Sequence, residues 1–219
     1  MSKILVAPSI LSGDFAKLGD SVKCLDEWNA DYVHVDVMDG DFVPNITIGM
    51  PVVKAIRKYS KLPFDVHLMI KNPEKYVAKF VDAGADIVTF HPNATENVEE
   101  SLNIIKSKGA KCGLAINPDI PLSFVIPYLD KIDMVVIMGV YAGFGGQKYI
   151  LSVDEKIVEL RKIINDNNYN VIIEVDGGVT TDNAKQIAMC GADVLVAGTA
   201  VFGAEYPSLA VKAIQNCKE

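Results

Sequence analysis

An imidazole and a carboxylate lie two residues apart in the segment His34-Val35-Asp36-Val37-Met38-Asp39-Gly40. The segment is rich in β-branched residues and ends in glycine, which is typical of a strand that runs into a loop. Side chains at positions i and i+2 of a strand point to the same face, so His34 and Asp36 project together. Both residue types ligate divalent metals, and both can transfer protons.

Two later segments repeat this chemistry, Asp65-Val66-His67-Leu68-Met69 and Glu174-Val175-Asp176-Gly177-Gly178. The chain thus offers candidate metal ligands at the ends of three strands: His34, Asp36, His67 and Asp176. Such a set suits Zn²⁺, Mn²⁺, Fe²⁺ or Co²⁺ and does not select among them. The alternative is that the histidines are hydrogen-bonded core residues and the aspartates cap turns. It is disfavoured for all of them together, because carboxylates are rarely buried without a cation or a catalytic task.

Glycine-bearing loops follow the last three predicted strands: Gly143-Phe144-Gly145-Gly146-Gln147, Gly177-Gly178 and Gly198-Thr199. Glycine permits positive φ and close backbone approach, so the amide N–H groups of such loops can converge on an anion. Their grouping predicts a phosphate site, and the alternative is that each glycine only forms a turn.

Other polarisable or ionisable side chains also end strands. Met38, Met69 and Met138 fit as core fillers, but beside a metal they would form an apolar ceiling that keeps water from a reactive intermediate. His91, in Thr89-Phe90-His91-Pro92, is assigned a structural hydrogen bond in preference to a role as a ligand.

The elements that must position these residues alternate along the chain. Short apolar runs predict eight strands, Ile4–Ala7, Tyr32–Met38, Phe64–Met69, Ile87–His91, Lys111–Ile116, Met134–Val140, Val171–Asp176 and Val194–Ala197. Helical spacing between them is clearest at 50–59 and 152–165. Eight alternating pairs predict an α/β fold, a (β/α)₈ TIM barrel, with a doubly wound open sheet as the alternative. The glycine loops predict that the barrel is of the phosphate-binding type. The recurring Gly84-Ala85-Asp86 and Gly191-Ala192-Asp193 predict equivalent helix-to-strand turns at the end opposite the site.

Composition narrows the classes of protein. A chain of 219 residues without a linker predicts a single domain, 1–219, and the formal charge of −7 with scattered Lys and Arg argues against a nucleic-acid partner. Apolar runs far shorter than about 20 residues argue against a membrane partner. The apolar segment within residues 1–8 is too short, and too soon interrupted by Pro8, to be a secretory signal. A cytoplasmic location is therefore expected. The four cysteines form no CxxC pair, so neither a zinc site nor a redox motif is indicated.

Taken together, these motifs resemble the ribulose-phosphate 3-epimerase family and its sugar-phosphate 3-epimerase relatives. The resemblance covers essentially the whole chain in order. It rests on Ala7-Pro8-Ser9-Ile10-Leu11, on the segments around His34, His67 and Asp176, on Phe42-Val43-Pro44-Asn45, on the loop at 143–147 and on Val196-Ala197-Gly198-Thr199-Ala200.

The resemblance implies an enzyme that inverts C3 of a phosphorylated ketose through an enediolate, with one divalent metal and no organic cofactor. It implies that Asp36 and Asp176 are both metal ligands and the acid and base, alongside the ligands His34 and His67. It further implies substrate contacts from Ser9, His67 and Asp176, and phosphate contacts from Gly143, Phe144, Gly145, Gly146, Gly177, Gly178, Gly198 and Thr199. We also expect a homo-oligomer of a size that the sequence does not give.

The chain departs from the family pattern at the sixth strand. The family usually reads Met-Ser-Val-Asn-Pro-Gly where this chain has Met138-Gly139-Val140-Tyr141-Ala142-Gly143, and Asp41 stands where a histidine is frequent. Interconversion of D-ribulose 5-phosphate and D-xylulose 5-phosphate is the leading hypothesis. The alternatives are a 3-epimerase acting on D-allulose 6-phosphate, a phosphate-binding barrel of another reaction class such as a decarboxylase or an aldolase, and a non-catalytic sugar-phosphate-binding barrel.

Overall fold

The computed structural model describes residues 3–219, in which eight parallel strands alternate with helices. Residues 1 and 2, which the predicted domain span includes, lie outside the described residues. The strands are β1 Leu5–Ala7, β2 Val33–Met38, β3 Phe64–Met69, β4 Ile87–Phe90, β5 Lys111–Ile116, β6 Met134–Met138, β7 Ile172–Asp176 and β8 Val194–Val196. The helices are α1 Leu18–Glu27, α2 Met50–Ile56, α3 Val77–Asp82, α4 Val98–Ser107, α5 Val153–Asp166, α6 Ala184–Cys190, α7 Thr199–Phe202 and α8 Pro207–Gln215. None of them is long and apolar enough to cross a bilayer.

The strands close into a barrel. Their order is β1-β8-β7-β6-β5-β4-β3-β2, so the first and last strands are neighbours, as in a (β/α)₈ barrel and unlike a doubly wound sheet. Between β1 and β2 the pairing is reduced to one parallel bridge, Ser9 with His34, where the His34 N–H donates to the Pro8 carbonyl at 3.2 Å. Proline has no N–H for the next rung of the ladder, which explains why the pairing stops there. The predicted barrel is confirmed.

The largest differences between predicted and observed elements are in one connection and at the end of β6, and five other strands differ from their predicted bounds by one residue at one end. The connection between β5 and β6 contains two 3₁₀ turns, Leu122–Phe124 and Ile126–Tyr128, where the alternation predicted an α-helix. Pro127 removes an N–H group that a continuous α-helix through both turns would need, and its ring would clash with the carbonyl four residues earlier. β6 ends at Met138 and not at Val140.

Alternation along the strands separates two parts of the core. On β2, Val33, Val35 and Val37 belong to the large apolar cluster between the sheet and the helices. The intervening side chains, His34, Asp36 and Met38, therefore point into the barrel. Every residue of β2 and β3 is buried, as expected for a sheet covered on both faces. The polar groups of the site thus occupy the barrel axis, enclosed by an apolar shell.

An aspartate precedes each even-numbered strand and clasps the neighbouring odd-numbered strand. These aspartate clasps are Asp31, Asp86, Asp133 and Asp193, whose carboxylates accept the backbone N–H groups of Val6, Phe64, Cys112 and Ile173 at 2.8–2.9 Å. Gly84 and Gly191, with φ of 113° and 122°, turn the chain out of the preceding helices ahead of two of them. The recurring Gly-Ala-Asp segments are therefore helix-to-strand turns at the amino ends of the strands, opposite the predicted site, as expected.

Candidate metal centre and active site

The four predicted metal ligands converge inside the barrel. His34 and Asp36 come from β2, His67 from β3 and Asp176 from β7, and the register of the sheet places Asp36 beside His67. His34 Nε2 lies 3.4 Å from Asp36 Oδ1 and 3.7 Å from Asp176 Oδ2, and His67 Nδ1 lies 3.6 and 3.3 Å from the same two oxygens.

The geometry of these atoms fits one divalent ion. Both imidazole nitrogens are fully buried and have no hydrogen-bond partner among the described residues. Ligand atoms about 2.0–2.2 Å from a tetrahedral ion lie about 3.4 Å from one another, which agrees with the spacing of the four atoms. Two nitrogens and two carboxylate oxygens also form a donor set that first-row divalent metals accept.

The second oxygen of Asp36 has a different partner. The Ser9 hydroxyl donates to Asp36 Oδ2 at 2.5 Å, and the bridge to His34 fixes Ser9 just beyond β1. Asp36 therefore presents Oδ1 to the imidazoles, while Ser9 orients Oδ2. This division leaves one oxygen for a metal and one for proton transfer.

The ionisable groups of the site alter one another's pKa values. Burial opposes ionisation of Asp36 and Asp176, yet the imidazoles of His34 and His67 outweigh it and lower the pKa of both carboxyl groups. Burial likewise opposes protonation of the histidines. The surrounding carboxylates nevertheless raise the pKa of His67, and those of Asp36 and Asp65 hold the pKa of His34 well above its ordinary value. A bound metal ion would therefore replace protons that these imidazoles otherwise retain.

A second acidic layer lies directly below the predicted ligands. His34 Nδ1 is 2.7 Å from Asp65 Oδ2 and 3.6 Å from Glu174 Oε1. Burial and the neighbouring Asp65 raise the pKa of Glu174 well above its ordinary value. Asp65, the nearer of the two, is the hydrogen-bond partner of His34. We did not predict these two contacts from the sequence. The available signal was the i, i+2 spacing of Asp65 with His67 and of Glu174 with Asp176.

His91 contacts the site without reaching the predicted ligand cluster. Its Nε2 lies 3.0 Å from His67 Nε2, and its ring packs on Phe42 with 4.8 Å between ring centroids. Burial and the adjacent His67 lower the pKa of His91 well below its ordinary value, so the ring is neutral. The hydrogen bond expected for His91 is confirmed, and its partner is a predicted metal ligand.

A cleft opens above the ligands at the carboxyl ends of the strands. Of the predicted site residues it is lined by Ser9, Asp36, Met38, Met69, Met138, Gly143, Phe144, Gly145, Gly146, Asp176, Gly177, Gly178, Gly198 and Thr199. His34 and His67 are fully buried beneath its floor, so the substrate contact predicted for His67 stays a prediction. Among the described lining residues there is no lysine or arginine. Neutral donors would therefore have to hold an anion in this cleft.

The glycine loops meet at one side of the cleft. Gly177 and Gly178 have φ of 108° and 70°, and a Cβ atom on Gly178 would overlap the backbone nitrogen of Tyr149. Gly198 has no positive φ, but a Cβ there would press against the Ser12 hydroxyl. Glycine is thus required at these positions for conformation or for close approach. Gly145 has neither constraint, and its nearest neighbour would be 3.8 Å away.

The loop from Tyr141 to Gln147 is tied down from several directions. Asn45 Nδ2 donates to the Gly143 carbonyl at 2.9 Å, and Asn117 Oδ1 accepts the Ala142 N–H at 3.0 Å. Gln147 Nε2 donates to the carbonyls of Tyr141 and Phe144, closing the loop on itself. We did not predict the contributions of Asn45 and Asn117, which come from other parts of the barrel.

The altered segment before this loop has a local explanation at Gly139. A Cβ there would overlap the Gly177 carbonyl and the Tyr149 ring, so serine would not fit without a shift. The Tyr149 hydroxyl donates to Asp154 at 2.7 Å, which holds that ring in place. Tyr141 is half exposed and lines the cleft.

Comparison with known proteins identifies relatives over the full chain. Residues 5–202 match the model described as the ribulose-phosphate 3 epimerase family. The chain is 52% identical over 219 residues to the chloroplastic ribulose-5-phosphate-3-epimerase of Arabidopsis thaliana, covering 99% of this chain and 78% of that protein. It is 47% identical to the ribulose-phosphate 3-epimerase of Serratia marcescens, covering 93% and 97% of the two chains. The Bacillus subtilis ribulose-phosphate 3-epimerase is 44% identical, with 98% and 100% coverage.

Solved structures agree on the fold. A 3-hexulose-6-phosphate synthase from Salmonella typhimurium superimposes with a TM-score of 0.74 at 19% identity, covering 98% of both chains. An orotidine 5'-phosphate decarboxylase from Pyrococcus horikoshii gives a TM-score of 0.67 at 19% identity, covering 97% of this chain and 98% of the other. At such identities the likeness establishes the barrel and nothing about the reaction.

Proposed function

The chain belongs to the ribulose-phosphate 3-epimerase family, and from this membership we propose that it is a metal-dependent isomerase that interconverts D-ribulose 5-phosphate and D-xylulose 5-phosphate. The observation that carries the proposal is the convergence of two imidazoles and two carboxylates at the floor of a glycine-lined cleft, with nitrogen-to-oxygen distances of 3.3–3.7 Å. Inversion at carbon needs a proton acceptor on one face and a donor on the other. Carboxylates from the non-adjacent strands β2 and β7 supply such a pair.

Asp36 and Asp176 perform the proton transfers in this proposal. Asp36 removes the C3 proton from one face of the ketose, and Asp176 returns a proton to the other face. The roles exchange when the reaction runs in reverse, so the reaction is freely reversible. Ser9 supports Asp36 by holding Oδ2, and the thioethers of Met38 and Met69 keep water from the enediolate.

His34, Asp36, His67 and Asp176 would hold the metal ion. When bound, a divalent ion supplies a Lewis acid that polarises the C2 ketone and makes the neighbouring C–H acidic enough to be removed. The lowered pKa of both aspartates favours their ionised forms, which suits ligation and the aspartate that acts as the base, but it makes the proton harder to retain on the aspartate that acts as the acid. Zn²⁺, Fe²⁺, Mn²⁺ and Co²⁺ all fit the donor set.

The phosphate group would bind at the glycine loops. The residues proposed to surround it are Gly143, Phe144, Gly145, Gly146, Gly177, Gly178, Gly198 and Thr199. Backbone N–H groups and the Thr199 hydroxyl are neutral donors, in agreement with the absence of lysine and arginine from the described lining. A Schiff-base aldolase would need a lysine there, so this alternative is disfavoured.

The test is a side-by-side measurement of kcat/KM for D-ribulose 5-phosphate and D-allulose 6-phosphate, with each of the four metals added to metal-free protein. We expect the five-carbon substrate to be preferred and activity to depend on added metal. Preference for the six-carbon sugar would replace the substrate but keep the mechanism. Absence of bound metal in protein purified without chelator, together with no turnover of either sugar, would support a non-catalytic binding barrel. Homo-oligomer formation and a cytoplasmic location stay predictions.

A further inference from the structure

The tautomers of two buried histidines are linked. His67 Nε2 and His91 Nε2 lie 3.0 Å apart, and both residues are fully buried. A neutral imidazole carries one N–H and one lone pair, so two facing ring nitrogens form a hydrogen bond only if one donates and the other accepts. The position of the proton on one ring therefore fixes its position on the other.

The orientation of His67 decides which ring donates. Its Nδ1 faces the carboxylates of Asp36 and Asp176, and is the nitrogen available for ligation. Ligation requires a lone pair on Nδ1, which places the proton of the neutral ring on Nε2. His67 then donates to His91 Nε2, and the proton of His91 lies on Nδ1.

This arrangement is unfavourable for His91 considered alone. Its Nδ1 is buried and has no hydrogen-bond partner in the described part of the chain. Burying an unpaired N–H costs stability. The contact with Phe42, at 4.8 Å between ring centroids, is one that a phenylalanine at position 91 could also make. Packing therefore does not account for an imidazole at this position.

We propose that His91 is a positioning residue that accepts the Nε2–H of His67 and thereby directs His67 Nδ1 at the metal ion. The inference rests on the proposed function, because it takes His34, Asp36, His67 and Asp176 as the metal site. His34 is positioned differently, with the Asp65 carboxylate 2.7 Å from its Nδ1. The two histidine ligands would thus have a carboxyl group and an imidazole as their respective acceptors.

Three substitutions separate this role from packing: His91→Phe, His91→Gln and His91→Asn. Phenylalanine keeps the ring and removes the acceptor. The amide oxygen of glutamine reaches about as far as Nε2 of histidine, whereas that of asparagine ends near Nδ1, so only glutamine restores an acceptor for His67. Each metal-free full-length variant is titrated with Co²⁺ alone. The dissociation constant is measured by chelator competition, the visible spectrum of the bound ion is recorded, and thermal unfolding of the metal-free protein is followed in parallel.

We expect His91→Phe and His91→Asn to weaken Co²⁺ binding about 10- to 100-fold, and His91→Gln to recover most of the loss. The metal-free His91→Phe protein should unfold at nearly the same temperature as the unsubstituted protein, because it loses the unpaired Nδ1–H of His91 but leaves the Nε2–H of His67 without its acceptor. Unchanged Co²⁺ affinity and spectrum in His91→Phe would overturn the inference. So would weakening that merely follows a lower unfolding temperature. Failure of the unsubstituted protein itself to bind Co²⁺ would instead overturn the metal site of the proposed function, and the inference with it.

Discussion

In the proposed mechanism Asp36 and Asp176 combine metal ligation with proton transfer, and the contacts of Asp36 indicate how one carboxylate could do both. Its Oδ1 faces the two imidazoles, and its Oδ2 accepts the Ser9 hydroxyl at 2.5 Å. A carboxylate that used both oxygens as ligands would keep only lone pairs whose proton affinity the metal has lowered. The separate partners of the two oxygens therefore favour the two-base mechanism.

Replacing either aspartate should stop epimerisation but preserve proton exchange at C3 on one face of the substrate. We expect Asp36→Asn and Asp176→Asn each to lower kcat by about 10²–10⁴-fold or more, as for loss of a positioned acid or base. In D₂O, each variant should exchange the C3 hydrogen of only one epimer, and the two variants should act on opposite epimers. Proton NMR of D-ribulose 5-phosphate and D-xylulose 5-phosphate measures this directly.

The controls for that experiment separate lost chemistry from lost metal. Metal content is measured for each variant, because both aspartates are also proposed ligands. Asp41→Asn removes an exposed carboxylate outside the lining of the cleft and should leave turnover unchanged. Near-normal turnover in either Asp36→Asn or Asp176→Asn would contradict the assigned roles.

From the two proposed histidine ligands we expect rising pH to lower the stability of the metal-free protein and to raise its apparent affinity for metal. The pKa of His34 and that of His67 are raised in the fold, so their protonation stabilises the metal-free protein below the ordinary pKa of histidine. This stabilisation is lost as pH rises through the raised values. Metal ligation needs the neutral rings, so apparent metal affinity should increase over the same range. Thermal unfolding of the metal-free protein should therefore shift downward with rising pH while Co²⁺ binding tightens.

Calorimetric titration with Co²⁺ in buffers of different ionisation enthalpy measures the accompanying proton release. We expect about one to two protons released per ion near neutral pH, falling towards zero at higher pH. The pKa of Glu174 is also raised, so its ionisation likewise makes the metal-free protein less stable as pH rises. Glu174 is not a proposed ligand. Binding without proton release at neutral pH would contradict protonated imidazoles in the metal-free site.

At the scale of elements, the loops after β6 and β7 interlock through glycine and Tyr149. Gly139 and Gly178 both approach Tyr149 so closely that a methyl group would overlap it, at the ring and at the backbone respectively. The loop after β6 is also bound by Asn45 and Asn117. Displacing one loop should therefore disturb the proposed phosphate site without moving the proposed metal ligands beneath it.

Gly178→Ala should weaken binding of the phosphorylated substrate. The residue has φ of 70°, where alanine is strained by about 1 kcal/mol, and the added methyl group also forces Tyr149 to move. We expect KM to increase about tenfold or more, with Co²⁺ affinity nearly unchanged. Gly109→Ala is the matched control, because its φ of 81° is equally left-handed, whereas it lies outside the lining of the cleft and its Cβ would meet nothing within 4 Å. Equal KM values for the two variants would contradict the role assigned to the loop after β7.

The sequence predicted the strands better than the contacts between them. Phe64–Met69 and Lys111–Ile116 match the observed strands at both ends, because alternation and apolar runs are local signals. The same alternation placed His34 and Asp36 on one face. The contact of His34 with Asp65 depends on the register between β2 and β3, and that of His67 with His91 depends on side-chain orientation across two strands. Neither quantity is contained in a local pattern, so these partners emerged only in the structure.

In the molecule as a whole, the contacts that stabilise the barrel and the residues proposed to react lie at opposite ends of the strands. The proposed metal and phosphate sites lie at the carboxyl ends of the strands, whereas the aspartate clasps lie at the amino ends. Each clasp satisfies a strand N–H group that would otherwise lack a partner at the barrel rim. Because there are four aspartate clasps, these stabilising contacts are spread around the whole barrel, and they lie away from the proposed active site.

Removing one aspartate clasp should therefore cost stability and spare activity. In Asp86→Ala, the N–H of the fully buried Phe64 loses its acceptor, and Arg57 loses an ion pair. We expect the free energy of unfolding, measured by urea denaturation, to fall by about 1–3 kcal/mol with kcat unchanged. Asp82→Ala is the control, because its pair with Lys108 is a surface ion pair worth about 0–1 kcal/mol. Adding Asp193→Ala, which releases the Ile173 N–H at a different strand pair, should roughly sum with Asp86→Ala. A loss in Asp86→Ala no larger than that in Asp82→Ala would show that the clasps do not stabilise the barrel.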